Sequence, residues 1–138
     1  MRTIKFKGYS KSKKGFVCGD LRIINTTDSQ KYYIFKDNRH AIDVEPDSIG
    51  QFIGIFDKNG TEIYEGDIVF YKHKIGNTQL DYKNKYYVVY RKENFDFIFT
   101  ERIDDYKFIN RYAMSETKNI EVIGNIYEEK QRREQNNI

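Results

Sequence analysis

The 138-residue chain reads as an all-β, β-dominated protein: a partly open barrel or two packed sheets, with short helical turns. Three observations predict this. Apolar and polar residues alternate with a period of two in short runs, as in Ile4-Lys5-Phe6-Lys7, which sets one side-chain row against a core. Phe and Tyr make up 16% of residues although only 38% are hydrophobic, so the core closes around rings that each remove roughly 150–250 Å² from water when buried. Turn-forming Gly, Asn and Asp recur between the runs.

Taken in order, Ile4 and Phe6 begin the first strand, and Lys11 to Gly15 forms a basic turn ending in glycine. Phe16 to Ile24 reads as two short strands broken at Gly19-Asp20, and Tyr32 to Phe35 as another strand before an Asp37-Asn38 turn. The only proline, Pro46, biases Glu45 toward extended backbone, and Asp47-Ser48 completes a turn suited to linking two sheets. Gln51 to Phe56 and Thr61 to Tyr64 flank Asp57-Lys58-Asn59-Gly60, the clearest hairpin, because Asn59 and Gly60 take positive φ at little cost. Gly66, in Glu65-Gly66-Asp67, lets the chain bend before Ile68 to Tyr71.

Farther on, His73 to Lys85 is polar and reads as a loop, with Tyr86 to Tyr90 and Phe95 to Thr100 as a second hairpin. Spacings of three and four among Tyr106, Ile109, Tyr112 and Ala113 suit one or two helical turns within Asp104 to Met114. Ile120 to Tyr127 closes one domain, residues 1–127. Residues 128–138 form a charged tail, either a frayed helix or disordered. The half from Glu65 to Tyr127 is expected to resemble a small Src-homology-3-like barrel.

Twenty-four basic and 21 acidic residues leave a formal charge of +3, which permits nucleic-acid binding without pointing to it. Cys18 is the only cysteine, so no intrachain disulfide can form, and a reducing cytoplasm is the natural setting. The amino-terminal residues lack the apolar run of a signal peptide or membrane span.

Three stretches then stand together: Ile4 to Lys7, Gly50 to Val69 and Glu121 to Glu128. Gly-Gln-Phe-Ile-Gly-Ile-Phe-Asp-Lys-Asn-Gly-Thr-Glu-Ile-Tyr-Glu-Gly-Asp-Ile-Val and the later Glu-Val-Ile-Gly-Asn-Ile-Tyr-Glu resemble, in order and spacing, the signature and closing motif of the YopX family. The resemblance spans nearly the whole chain and is weakest over Gly8 to Glu45 and Phe70 to Asn119. It places the structural signature at Gly54, Asn59, Gly60, Tyr64, Glu65, Gly66, Asp67, Gly124 and Asn125. It implies a bacteriophage or prophage protein of the bacterial host cytoplasm with a β-rich fold, and it carries over no catalytic residue.

Glu62, Glu65 and Asp67 are close enough in sequence for acid–base work or a hard cation, but with no further carboxylates at suitable spacing a turn is the better explanation. His40, His73 and Cys18 make no zinc spacing or triad, and no glycine-rich phosphate loop precedes a helix. A non-enzymatic protein without cofactor, metal or small-molecule substrate is expected. Edge strands and tyrosine pairs such as Tyr32-Tyr33 and Tyr86-Tyr87 point to self-association or a host or phage protein partner. The alternative is a small β-barrel binding single-stranded nucleic acid: Tyr71, Lys72, His73, Lys74, Lys83, Lys85, Arg91 and Lys92 interleave cations with rings, as phosphate contact and base stacking require.

Overall fold

A computed structural model describes residues 4–74, 82–91, 97–100, 108–110 and 120–136. Strands dominate it, in two antiparallel sheets, and the chain divides into two compact units, Met1–Phe52 and Ile53–Ile138. Of the architectures left open by the sequence, two sheets are formed, and no barrel closes among the described residues.

In the first unit, β1 (Phe6–Ser10) pairs antiparallel with β2 (Gly15–Asn25), which pairs with β3 (Gln30–Phe35), which pairs with β4 (Ala41–Asp43). The start of β5 (Gly50–Phe56) lies along the other side of β1, with Gln51 opposite Phe6. Alternation sorts the side chains into two rows. Val17, Ile34, Ile42 and Val44 make the buried cluster, with Phe6, Leu21, Tyr32 and Ile49 packed against it. Each fully buried aliphatic contributes roughly 1.5–3 kcal/mol. A 3-10 turn at Pro46–Ser48 is fastened to β1: the Tyr9 N–H donates to Ser48 Oγ at 2.7 Å, and that hydroxyl donates to the Glu45 carbonyl at 2.6 Å.

The segment expected to hold two short strands is one strand, β2, which changes partner midway. It pairs with β1 as far as Gly19 and with β3 from Asp20. Gly19 does not end the strand. It admits the Phe35 carbonyl oxygen, which an added Cβ would meet at 2.2 Å.

In the second unit the rest of β5 turns through residues 57–60 into β6 (Glu62–Tyr64), as the hairpin motif predicts. The five-stranded sheet has the order β10-β9-β8-β7-β11. Its strands are β7 (Asp67–Lys74), β8 (Tyr82–Arg91), β9 (Phe97–Thr100), β10 (Phe108–Asn110) and β11 (Ile120–Asn125). Ile53, Ile63, Val69, Val89 and Ile120 form its core, with Ile55, Tyr71 and Val122 against it.

Two differences from the sequence reading stand out. Strands β7 and β8 run on through Lys74 and back from Tyr82, inside the span read as a loop, because a polar strand end satisfies its backbone in the ladder without apolar side chains. Phe108–Asn110 is a strand paired with β9 where helical turns were expected, and the rest of Asp104 to Met114 lies outside the described residues. The terminal segment is helix α1 (Ile126–Asn136), with Glu128 and Glu129 in its first turn and Glu129 paired to Arg132 and Arg133 at 3.4 and 3.9 Å. No helix among the described residues is long and apolar enough to cross a membrane.

Candidate functional site

Beyond Leu21, β2 leaves the core of the first unit and, with β3, whose Tyr32 still packs against that core, makes a two-stranded arm. Residues 22–31 are exposed without exception, and their rungs run Arg22–Tyr33, Ile23–Tyr32, Ile24–Lys31 and Asn25–Gln30. Among the described residues, β2 from Asp20 to Asn25 pairs with β3 alone, so its other edge offers a row of backbone groups. Polar side chains organise the tip. The Thr26 N–H donates to the Ser29 carbonyl at 2.8 Å, the Ser29 N–H to Thr26 Oγ1 at 3.0 Å, and Gln30 Nε2 to Asn25 Oδ1 at 2.9 Å. An isolated two-stranded hairpin is marginally stable in water, so this tip bonding supports the arm's shape. Ile23 and Ile24 are 48% and 47% exposed. As neighbours on a strand they face opposite sides, giving the arm an apolar patch on each face.

The sequence reading placed Ile23 and Ile24 at the end of a short strand and did not single them out as a site. A signal was present: two adjacent isoleucines cannot both enter a core on one side of a strand, and Asn-Thr-Thr-Asp-Ser-Gln follows them without an apolar residue.

The basic and aromatic candidates of the second unit fall on one strand pair. Lys85 is opposite Tyr71, Asn84 opposite Lys72, Lys83 opposite His73 and Tyr82 opposite Lys74, with Arg91 at the far end of β8. Alternation assigns positions 71, 73, 83 and 85 to one row and 72, 74, 82 and 84 to the other, so the backbone register divides these basic positions between two rows. Tyr71 packs against the core cluster. Lys92 lies outside the described residues.

The signature residues meet in a buried polar junction. Asp67 is 0% exposed. Its Oδ2 accepts the Tyr64 N–H at 2.8 Å, and its Oδ1 accepts the Asn125 side-chain amide at 3.1 Å. Asn125 in turn caps α1 by accepting the Tyr127 N–H at 2.8 Å. Between them Gly66, at φ +91°, donates to the Val89 carbonyl and accepts from the Ile126 N–H. A β-branched residue resists that backbone conformation. Glu65 is half-buried beside it, and Glu62 Oε1 accepts the Tyr64 hydroxyl at 3.3 Å. Gly54 lies within β5, and Gly124 follows a register shift in β11.

Asp57 organises the turn holding Asn59 and Gly60. It accepts the Asn59 and Thr61 N–H groups on Oδ1, at 2.8 and 2.9 Å, and the Val122 N–H on Oδ2 at 3.0 Å. Burial pushes its carboxyl up, but the amides of Val122, Thr61 and Asn59 outweigh this and hold it below the ordinary value of 3.8. Asp37 is also lowered, first by the Arg39 amide and then by His40, in the turn leading to β4. Among the described residues no three His, Cys, Asp or Glu side chains are placed to hold a metal ion.

The chain resembles protein EF1440 from Enterococcus faecalis in crystal structure, at 20% identity and a TM-score of 0.46, over 91% of this chain and 94% of that one. Among curated proteins none matches. A family model described as YopX protein matches residues 5–132. That span takes in both the arm and the buried junction, and the chain belongs to the YopX family.

Proposed function

We propose that this is a non-enzymatic accessory protein, of phage or prophage origin and acting in the bacterial cytoplasm, that works by self-association through the β2–β3 arm. The observation carrying the reading is the combination of a β2 edge that pairs with no other strand among the described residues and the exposed Ile23 and Ile24 beside it. Placed antiparallel about a two-fold axis at Ile23, the edges of two copies align Leu21 to Asn25 with Asn25 to Leu21 and set Ile23 against its counterpart, a self-complementary arrangement. A five-residue edge with two isoleucines is smaller than a standard interface of roughly 1,600 Å². Association in the micromolar range follows, corresponding to about −8 kcal/mol.

Light scattering across a concentration series tests this. A dimer forming in the micromolar range, persisting in high salt because its contact is apolar and abolished by the double variant Ile23→Ser, Ile24→Ser, is expected. A monomer at every concentration overturns the proposal.

A further inference from the structure

The outward row of the first unit, opposite its buried cluster, has a chemistry of its own. Tyr9 and Phe16 face each other across β1 and β2 at 5.5 Å, edge to face. Lys7 Nζ sits 4.8 Å from the Phe16 ring centre, and the Arg22 guanidinium carbon 4.1 Å from that of Phe35. These contacts fix the row: Lys7, Tyr9, Phe16, Cys18, Asp20, Arg22, Ile24, Lys31, Tyr33 and Phe35 share one sheet face by register. Cations and rings alternate along it, and each cation–π pair holds its charge over an aromatic surface. Asp20 and, on β4, Asp43 are the acidic members of that face. Charge is also uneven along the chain. Met1–Phe52 has ten Lys and Arg against six Asp and Glu, a balance of +4, whereas Ile53–Ile138 has fourteen against fifteen.

We infer that this face binds single-stranded DNA. Lys7, Arg22 and Lys31 contact phosphates, while Tyr33 and the Arg22–Phe35 pair offer planar surfaces to unpaired bases. Duplex DNA is disfavoured because its bases are already stacked. Phosphate contact and ring stacking need no 2′-hydroxyl, which makes DNA a sufficient ligand. This surface is separate in its residues from the divided basic positions on β7 and β8; it shares Arg22 and Ile24 with the β2 segment proposed to self-associate, whose Ile23 belongs to the opposite row.

Cys18, exposed in this row and the chain's sole cysteine, provides the reporter. The experiment titrates the full chain against a fluorescent mixed-sequence oligodeoxynucleotide of about 15 nucleotides, within the usual site range, and measures alkylation of Cys18 with and without it. With about three phosphates neutralised, the log–log salt slope is near −2, so raising salt from 50 to 200 mM weakens binding roughly 20-fold. Slowed Cys18 alkylation, loss of affinity in Lys7→Glu and Lys31→Glu, and unchanged affinity in Lys83→Glu and in Ile23→Ser are expected. Absence of binding at low salt, undiminished Cys18 alkylation, equal affinity for duplex, tenfold tighter binding to RNA of the same sequence, or sensitivity to Lys83→Glu in place of Lys7→Glu each overturns the inference.

Discussion

The arm of the first unit and the buried junction of the second use polar groups in opposite ways. At the junction, Asp67, Asn125, Tyr64 and Tyr127 satisfy one another away from water, and every named hydrogen bond fixes a strand or a helix start. On the arm, polar groups gather at the tip and the apolar Ile23 and Ile24 face solvent. The contrast teaches where each kind of information sits. The recognisable signature Glu-Gly-Asp-Ile with Gly-Asn-Ile-Tyr encodes a structural joint, whereas the surface we propose for self-association lies in a stretch where the family resemblance is weak.

The largest effect that would sharpen this contrast is expected from Asp67→Ala. Removing the carboxylate strips the acceptor from the Tyr64 N–H and the Asn125 amide inside the core, at a cost of about 3 kcal/mol, or roughly 10 °C in thermal melting. An unchanged melt would show that the junction is not structural. Gly19→Ala, at the base of the arm, comes next. Its Cβ would lie 2.2 Å from the Phe35 carbonyl, so β2 and β3 must shift, at a cost of about 2 kcal/mol in urea unfolding; full tolerance would mean that the partner change in β2 needs no glycine.

A third effect depends on pH. Because Asp57 is held below 3.8 in the folded chain, the stability it adds is fully present above that ordinary value and is lost as pH falls through the lowered one. Urea unfolding of wild type and Asp57→Asn should therefore differ at pH 7 and converge as the medium is acidified; a gap that stays constant with pH removes Asp57 ionisation as the cause. Smallest is the effect of Ile23→Ser on the isolated monomer, within about 0.5 kcal/mol. A larger loss of stability would place Ile23 in the core and break the comparison.

Much of the strand pattern was legible because local chemistry agreed with tertiary context. Asp57-Lys58-Asn59-Gly60 marked its hairpin through a glycine at φ +80° and an aspartate that gathers the turn's amides. Misreadings came where one residue type serves two purposes. Gly19 looked like a break but admits a neighbouring carbonyl, and the polar ends of β7 and β8 looked like a loop because ladder pairing leaves no mark on side-chain polarity. The candidate surface was less legible than the fold. The cations and rings of the first unit are scattered over three strands and converge only through register, whereas those from Tyr71 to Lys92 cluster in sequence but are divided between rows by the same rule.

The partner change within β2 has a consequence for amide hydrogen exchange. Among the described residues, the strand lies against β1 from Gly15 to Gly19 and against β3 alone from Asp20 to Asn25. One covalent strand therefore spans two cooperative units: amides near Val17 exchange only when the core of the first unit opens, while those of Leu21 to Asn25 exchange through local fraying of the arm. A step in protection factors at Gly19–Asp20 would mark where the scaffold ends and the arm begins.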